Sequence, residues 1–392
     1  MANAEKFDVV VYGASGYTGR LVAEYMAKQY GPDSGVRWAM AGRNKDKLEK
    51  VRDEIGAPAE TPIVIADASD SGSIDAMVDA AKVVCTTVGP YQLYGEPLVA
   101  ACAKRGVGYV DLCGEPAWMH TMIETYQDTA KQSGARIVFS CGFDSVPFDL
   151  GVYYLQEQAK EALGGPAPRV RGRVRAMNGR FSGGTAASFH ATMKAAGKDP
   201  SIIGILRDPF ALTPGFSGPE QPDDTKPALD DSLDMWVAPF IMASINTKNV
   251  HRSNFLMGHP YGENFRYDEM VLTGPGDEGK EAAKAVANAN PLTGDDVPEP
   301  GEGPSKEERE AGNYDVLFIG EADDGRTIKT AVTGDMDPGY GSTSKIVAEC
   351  AVSLARDITD APGGIYTPAA IFGMRLVDRL QNNAGLTFKR ED

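Results

Sequence analysis

The chain has 392 residues, room for two or three domains of roughly 100–200 residues each, and 42% of it is hydrophobic, material for ordinary buried cores. With 39 basic against 55 acidic residues the net charge is −16, which argues against general nucleic-acid binding because that needs a cationic face. Five scattered cysteines without a C-x-x-C pair and only four histidines argue against a metal site and point to reduced thiols in a cytosolic protein.

The N-terminus passes from a short polar lead into a strand with no signal-peptide pattern. Residues 7–12 (FDVVVY) form a β-branched run, and 17–30 carry Leu21, Val22, Tyr25 and Met26 at helical spacing. Strands follow at 36–41, 63–66, 82–88, 108–112 and 137–140, separated by helices at 44–55, 71–80, 96–105 and 117–133. These short strands are apolar without alternation, as expected of a parallel sheet covered on both faces. The expectation is an α/β, doubly wound, Rossmann-type domain over residues 1–148.

After Asp149 the texture changes. "RVRGRVRAM" alternates like a strand with one solvated face, "SGGTAASFHATM" reads as a turn entering a helix, and 208–232 and 287–312 read as irregular. The longest apolar stretch, "MWVAPFIMASI" at 235–245, is about half of the roughly 20 residues that a membrane-spanning helix needs. No transmembrane segment is expected; contact with a membrane or lipid surface stays open. Two strands at 314–321 and 326–333 joined by "ADDG" form a hairpin signal, and helices near 343–356 and 368–380 close the chain. A separate α+β domain fits this region.

Chemistry concentrates at the ends of the early strands. In "VVYGASGYTGR" a strand, a glycine turn and a helix follow one another, which presents backbone N–H groups to phosphate oxygens. Gly13 permits the tight turn, Gly16 the approach of a pyrophosphate and Gly19 close helix–strand packing. The second strand ends in "AGRNKDK" where an NAD site usually has an acid; Arg43 pairs there with a 2′-phosphate and Asn44, Lys45 and Lys47 lie nearby, unless these are simply solvated charges at a helix start. NADP(H) is the expected cofactor. Asp67, after the third strand, either meets adenine or caps the next turn.

"TTVGPYQLYGEP" ends the fourth strand, where Val88, Gly89 and Pro90 turn beside the ribose and nicotinamide and Tyr91 and Tyr94 offer hydroxyls or plain packing. "DLCGEP" and "SCGFDSVPFD" end the next two strands, so Glu115, Cys141, Asp144 and Ser145 converge on the same crevice. Without a histidine close in sequence, Cys141 is more simply a packed residue. Ser182, Gly183, Gly184 and Thr185 suit either a substrate anion or a helix cap.

The blocks "YGASGYTGRLVAEYM", "AGRNKDKL", "TTVGPYQLYGEPLVAACAKRGVGYVDLCGEP", "ARIVFSCGFDSVPFDLGV" and "GRFSGGTAAS" resemble the saccharopine dehydrogenase-like oxidoreductases, and among them the bacterial trans-acting enoyl reductases. "YGENFRY", "GPSKEEREAG", "DPGYGSTSK" and "GGIYTPAA" extend the resemblance over nearly the whole chain. It implies a Rossmann domain, a substrate and dimerisation domain (149–356), and a C-terminal helical segment (357–392) returning to the first domain. It also implies NADPH-dependent reduction of a double bond in a lipid or polyketide-like chain held by a separate synthase, a cofactor set of Gly13, Ser15, Gly16, Tyr17, Thr18, Gly19, Arg43 and Val88–Tyr91, and a homodimer. Hydride addition to an enoyl β-carbon leaves an enolate that needs a proton and oxyanion stabilisation, for which Tyr91, Tyr94 and Asp144 are the candidates. Substrate contacts are expected from Glu115, Ser145, Ser182 and Thr185.

Two other functions compete. An amino-acid dehydrogenase would use Arg173, Arg175 and Arg180 for substrate carboxylates, whereas a non-catalytic sensor or scaffold would keep only the nucleotide.

Overall fold

The computed structural model describes residues 5–179, 183–289 and 302–391. Six strands alternate with helices in the first third of the chain: β1 (Phe7–Tyr12), β2 (Trp38–Gly42), β3 (Ile63–Ile65), β4 (Ala81–Thr86), β5 (Gly108–Val110) and β6 (Arg136–Val138). Val9, Val10 and Val11 are all fully buried, although neighbours on a strand point to opposite faces. Both faces of this sheet are therefore covered, the condition that keeps a parallel sheet stable.

Eight further strands are β7 (Arg169–Asn178), β8 (Ala228–Asp230), β9 (Met235–Pro239), β10 (Arg266–Gly274), β11 (Asn313–Glu321), β12 (Thr327–Gly334), β13 (Gly364–Tyr366) and β14 (Leu386–Arg390). The first sheet has the order β13-β6-β5-β4-β1-β2-β3 and is parallel throughout. Its order reverses at β1, so the crevice beyond the carboxyl ends of β1 and β4 is the switch point where such sheets bind ligands. The second sheet, β14-β12-β11-β7-β10-β9-β8, is mixed: β7 pairs with β10 in parallel and with β11 antiparallel.

The chain after residue 343 departs from the sequence reading. Helix Thr343–Arg356, grouped above with the second domain, packs against β1, β4 and β5 and against helix Tyr17–Gln29. The segment expected to return as helix also adds a strand to each sheet, β13 beside β6 and β14 beside β12. Strands of three and five residues are too short to display a period.

Helix Ala243–Leu256 was hidden for a different reason. Its Asn246, Thr247, Lys248, Asn249, His251, Arg252, Ser253 and Asn254 are polar yet all buried. Several are held by internal bonds, such as Lys248 Nζ to the carbonyls of Leu206 and Ser244, both at 2.9 Å. Arg252 and Tyr261 lie in the core.

Candidate active site

Gly13 has φ +91°, and a Cβ there would meet Thr87 Oγ1 at 2.7 Å and Val88 Cγ2 at 2.9 Å. A Cβ on Gly19 would lie 2.1 Å from the Gly13 carbonyl oxygen, so only glycine lets the helix seat on the turn. A Cβ on Gly16 would meet only Gly13 O, closely at 3.3 Å. Gly16 also N-caps helix Tyr17–Gln29 without a side-chain bond, and no acid stands in the first turn. The leading amides are thus uncapped at the positive end of the helix dipole, which suits a pyrophosphate.

Arg43 is exposed at the end of β2, and no carboxylate among the described residues lies within ion-pair distance of it. Ser15 Oγ comes 3.6 Å from where a Cβ on the adjoining Gly42 would sit. Asn44 is occupied as a helix cap, its Oδ1 accepting the Lys47 amide at 2.9 Å. Asp67 closes a local turn by accepting the amide and hydroxyl of Ser69 at 2.9 and 2.8 Å, and these bonds hold its carboxyl below the usual range. For Asn44 and Asp67 the structure thus shows the capping roles that the sequence left open.

From the glycine turn a cavity of about 700 Å³ runs into the second half of the chain. Tyr17, Thr18, Gly89, Pro90, Tyr91 and Tyr94 line one side, and Phe143, Asp144, Ser145, Phe189, Met193 and Met242 the other. Among the described residues no lysine, arginine or histidine reaches it. Asp144 is half-buried, accepts no hydrogen bond and makes no ion pair with a described residue, and burial pushes its carboxyl up to about 6. Tyr94 is 48% exposed and its hydroxyl makes no hydrogen bond with a described residue.

Tyr91 is differently placed. Its hydroxyl donates to Thr86 O at 3.2 Å and accepts the Leu112 amide at 3.0 Å, and burial raises it well above a normal phenol. Glu115, 2% exposed, accepts the amides of Tyr91 and Gln92 at 2.9 and 2.8 Å and the Ser188 hydroxyl at 2.8 Å. Ser145 donates to Asn246 Oδ1 at 3.0 Å and accepts Asn249 Nδ2 at 3.1 Å. The sequence reading put Glu115 and Ser145 on the substrate; in the structure each is engaged within the protein, Ser145 at the cavity wall and Glu115 behind it. Ser182 and Arg180 lie outside the described residues; helix Gly183–Lys198 lines the cavity with Gly184, Ser188 and Thr192.

Asp111 escaped the sequence reading. It is fully buried, accepts Tyr109 Oη, Cys113 N and Ser140 N at 2.8–3.0 Å, and ties together the turns after β5 and β6. Its position at a strand end was a signal that could have been used. Cys141 is buried and its thiol is pushed well up by burial, as packing predicts.

A doubly wound sheet whose first turn presents uncapped amides, opening into one cavity with an unpaired carboxyl, defines a dinucleotide-dependent oxidoreductase, and the cofactor domain makes it NADP(H)-dependent: residues 9–138 match the family Saccharopine dehydrogenase NADP binding domain. The chain is 40% identical to a candidate trans-acting enoyl reductase of Mycobacterium tuberculosis over 97% of this chain and 96% of that one. It is 36% identical to the trans-acting enoyl reductase of Mycobacterium ulcerans over 97% of each. Among solved structures, saccharopine dehydrogenase (L-Glu forming) from Saccharomyces cerevisiae shares the fold with TM-score 0.58 at 12% identity, covering 98% of this chain and 99% of that one. The chain belongs to the saccharopine dehydrogenase-like oxidoreductases, together with the trans-acting enoyl reductases. Among the described residues no helix is long and apolar enough to cross a membrane.

Proposed function

We propose that this oxidoreductase reduces the carbon–carbon double bond of an enoyl group on a lipid or polyketide-like chain that a separate synthase holds. The observation that carries this reading is Asp144, an unpaired half-buried carboxyl in a cavity that no cation enters among the described residues. An amino-acid substrate needs cations for its carboxylates. Arg173 instead pairs with Asp230 and Asp268, and Arg175 with Asp315 and Glu391. The names of the relatives support the same substrate class.

The cofactor would be held by the amides of the Gly13–Gly19 turn, Ser15, Thr18, Arg43 and the Val88–Pro90 turn, with Asn44 and Asp67 shaping the rim beside the adenine. NADPH supplies the hydride. Asp144 holds the proton for the α-carbon, since a carboxyl raised to about 6 is still partly protonated near neutrality. Tyr94 donates to the enolate oxygen, and Tyr91, whose own hydroxyl is occupied, is a wall that sets the cavity's shape. Ser145 and the start of helix Gly183–Lys198 border the acyl chain; Glu115 supports them from behind. On this reading residues up to about 148, with helix Thr343–Arg356 and β13, form the cofactor unit and the second sheet with its helices the substrate unit, and the protein works as a cytoplasmic homodimer in lipid metabolism.

The test is NADPH oxidation with an α,β-unsaturated acyl thioester against a 2-oxo acid plus amino acid. Turnover with the thioester alone, strongly slowed in Asp144→Asn, is the expected result. Turnover only with the oxo acid and amine would establish the dehydrogenase reading instead.

A further inference from the structure

The stretch Glu302–Ala311, which precedes β11 in the second half of the chain, reaches back to the cofactor turn. The Tyr17 hydroxyl donates to the Pro304 carbonyl. Arg309 Nη1 donates to Tyr17 Oη and to Pro304 O, both at 2.8 Å, across 292 residues in the first case. The Tyr17 ring meets Tyr340 edge-on at 4.7 Å, and its atoms lie 2.6–3.0 Å from where a Cβ on Gly303 would sit. Tyr340 Oη in turn donates to Glu302 O at 3.3 Å. Tyr17, Tyr340 and Glu302 all line the cavity that begins at the glycine turn.

Arg309 is 8% exposed, and among the described residues it makes no ion pair. Asp337 lies close enough to interact electrostatically, but its two oxygens accept the amides of Tyr340 and Gly341 at 2.9 and 2.8 Å. At hydrogen-bond distance the buried guanidinium is answered only by the neutral oxygens of Tyr17 and Pro304, with the Asp337 carboxylate opposing its charge from outside ion-pair distance. Tyr17 is the first residue of the helix whose free amides face the phosphate position. An anion arriving there meets both the helix dipole and this charge.

We propose that Arg309 is a cofactor-affinity residue contributed by the second half of the chain, its charge directed through Tyr17 at the pyrophosphate turn and balanced by the dinucleotide's phosphates. The inference rests on the NADP(H) reading of the site but not on the enoyl substrate. Part of the cofactor site then lies on the strap that carries Arg309, so dinucleotide binding fastens that strap over the turn.

Calorimetric titration of the full chain with NADP+ and, separately, with adenosine 2′-monophosphate tests this. The second probe keeps the phosphate that Arg43 would meet and lacks the pyrophosphate. Arg309→Met is expected to weaken NADP+ by about three- to tenfold, the scale of a charge acting without a direct bond, with the monophosphate unchanged. Arg309→Lys should recover part of the loss. Tyr17→Phe, which keeps the ring and removes the relay hydroxyl, should weaken NADP+ alone and serves if Arg309→Met does not fold. Unchanged NADP+ affinity in a folded variant, or equal losses for both probes, would overturn the proposal. Wild type that binds no NADP+ would overturn both it and the cofactor reading.

Discussion

The carboxylate of Glu115, at the turn after β5, accepts the backbone amide of Tyr91, at the turn after β4, at 2.9 Å. Its second oxygen takes the Gln92 amide, and Ser188 from helix Gly183–Lys198 donates to the first. One buried side chain thus fixes the cavity wall at Tyr91 to helix Gly183–Lys198. Glu115→Ala leaves two amides unanswered at about 1–3 kcal/mol each, so a clear fall in the urea midpoint is expected together with lost activity. A variant as stable as wild type would show that the brace is dispensable.

Arg43 stands exposed at the end of β2 with no acid in ion-pair distance among the described residues. Arg43→Asp should weaken NADPH by about ten- to a hundredfold and improve NADH, because the acid accepts from ribose hydroxyls and repels a 2′-phosphate. Fluorescence titration with the two cofactors checks this. An unchanged ratio would move the 2′-phosphate site elsewhere.

Asp144 has its carboxyl raised to about 6 by burial, and the direction has two consequences. As proton donor it loses its proton as pH rises through about 6, so the reductase rate should fall on the alkaline side and Asp144→Asn should abolish that limb. For stability, the folded state binds more protons than the unfolded state between about 4 and 6, so the group costs stability as pH rises through that window. Asp144→Asn should therefore melt higher than wild type at pH 7 while turning over far more slowly. Equal melting points with retained turnover would remove Asp144 from the chemistry.

Glu269, fully buried beneath the Ser145–Asn246 bond, accepts Asn246 Nδ2 at 2.9 Å and Tyr267 Oη at 2.8 Å, and burial raises its carboxyl to about 8. The same sign holds: stability is lost as pH rises between the unfolded value near 4.5 and about 8. The melting temperature of Glu269→Gln relative to wild type should climb across that range and level off above it. A difference that stays flat with pH would mean that Glu269 is ionised in the fold.

Much of the first sheet was legible because its strands are short, mainly apolar runs, and six of them alternate with helices. The glycine turn was legible for the same local reason: Gly13 and Gly19 are required within a few residues of each other. The second sheet was not, because β7 takes partners from β10 and β11, roughly 90 and 140 residues away, and no local pattern carries that pairing. Helix Ala243–Leu256 was hidden because polar side chains fill its buried faces. Of the strand-end residues that the sequence sent to one crevice, Tyr91, Tyr94, Asp144 and Ser145 line the cavity, whereas Glu115 and Cys141 do not. Which of them keeps a free polar atom depends on partners such as Thr86 O, Ser188 and Asn246, set only by the tertiary fold. Tyr17 was read from its motif, whereas its partner Arg309 sits in a charged stretch that reads as solvated surface.

The central claim is hydride delivery to an enoyl carbon in this cavity. It is tested most directly by mass spectrometry of the product formed from an enoyl thioester and NADPH deuterated at nicotinamide C4. The expected result is one deuterium at the β-carbon of a saturated product in wild type, and the same product formed far more slowly in Asp144→Asn. Deuterium found instead at the α-carbon of an amino acid, formed from an oxo acid and an amine, would contradict it.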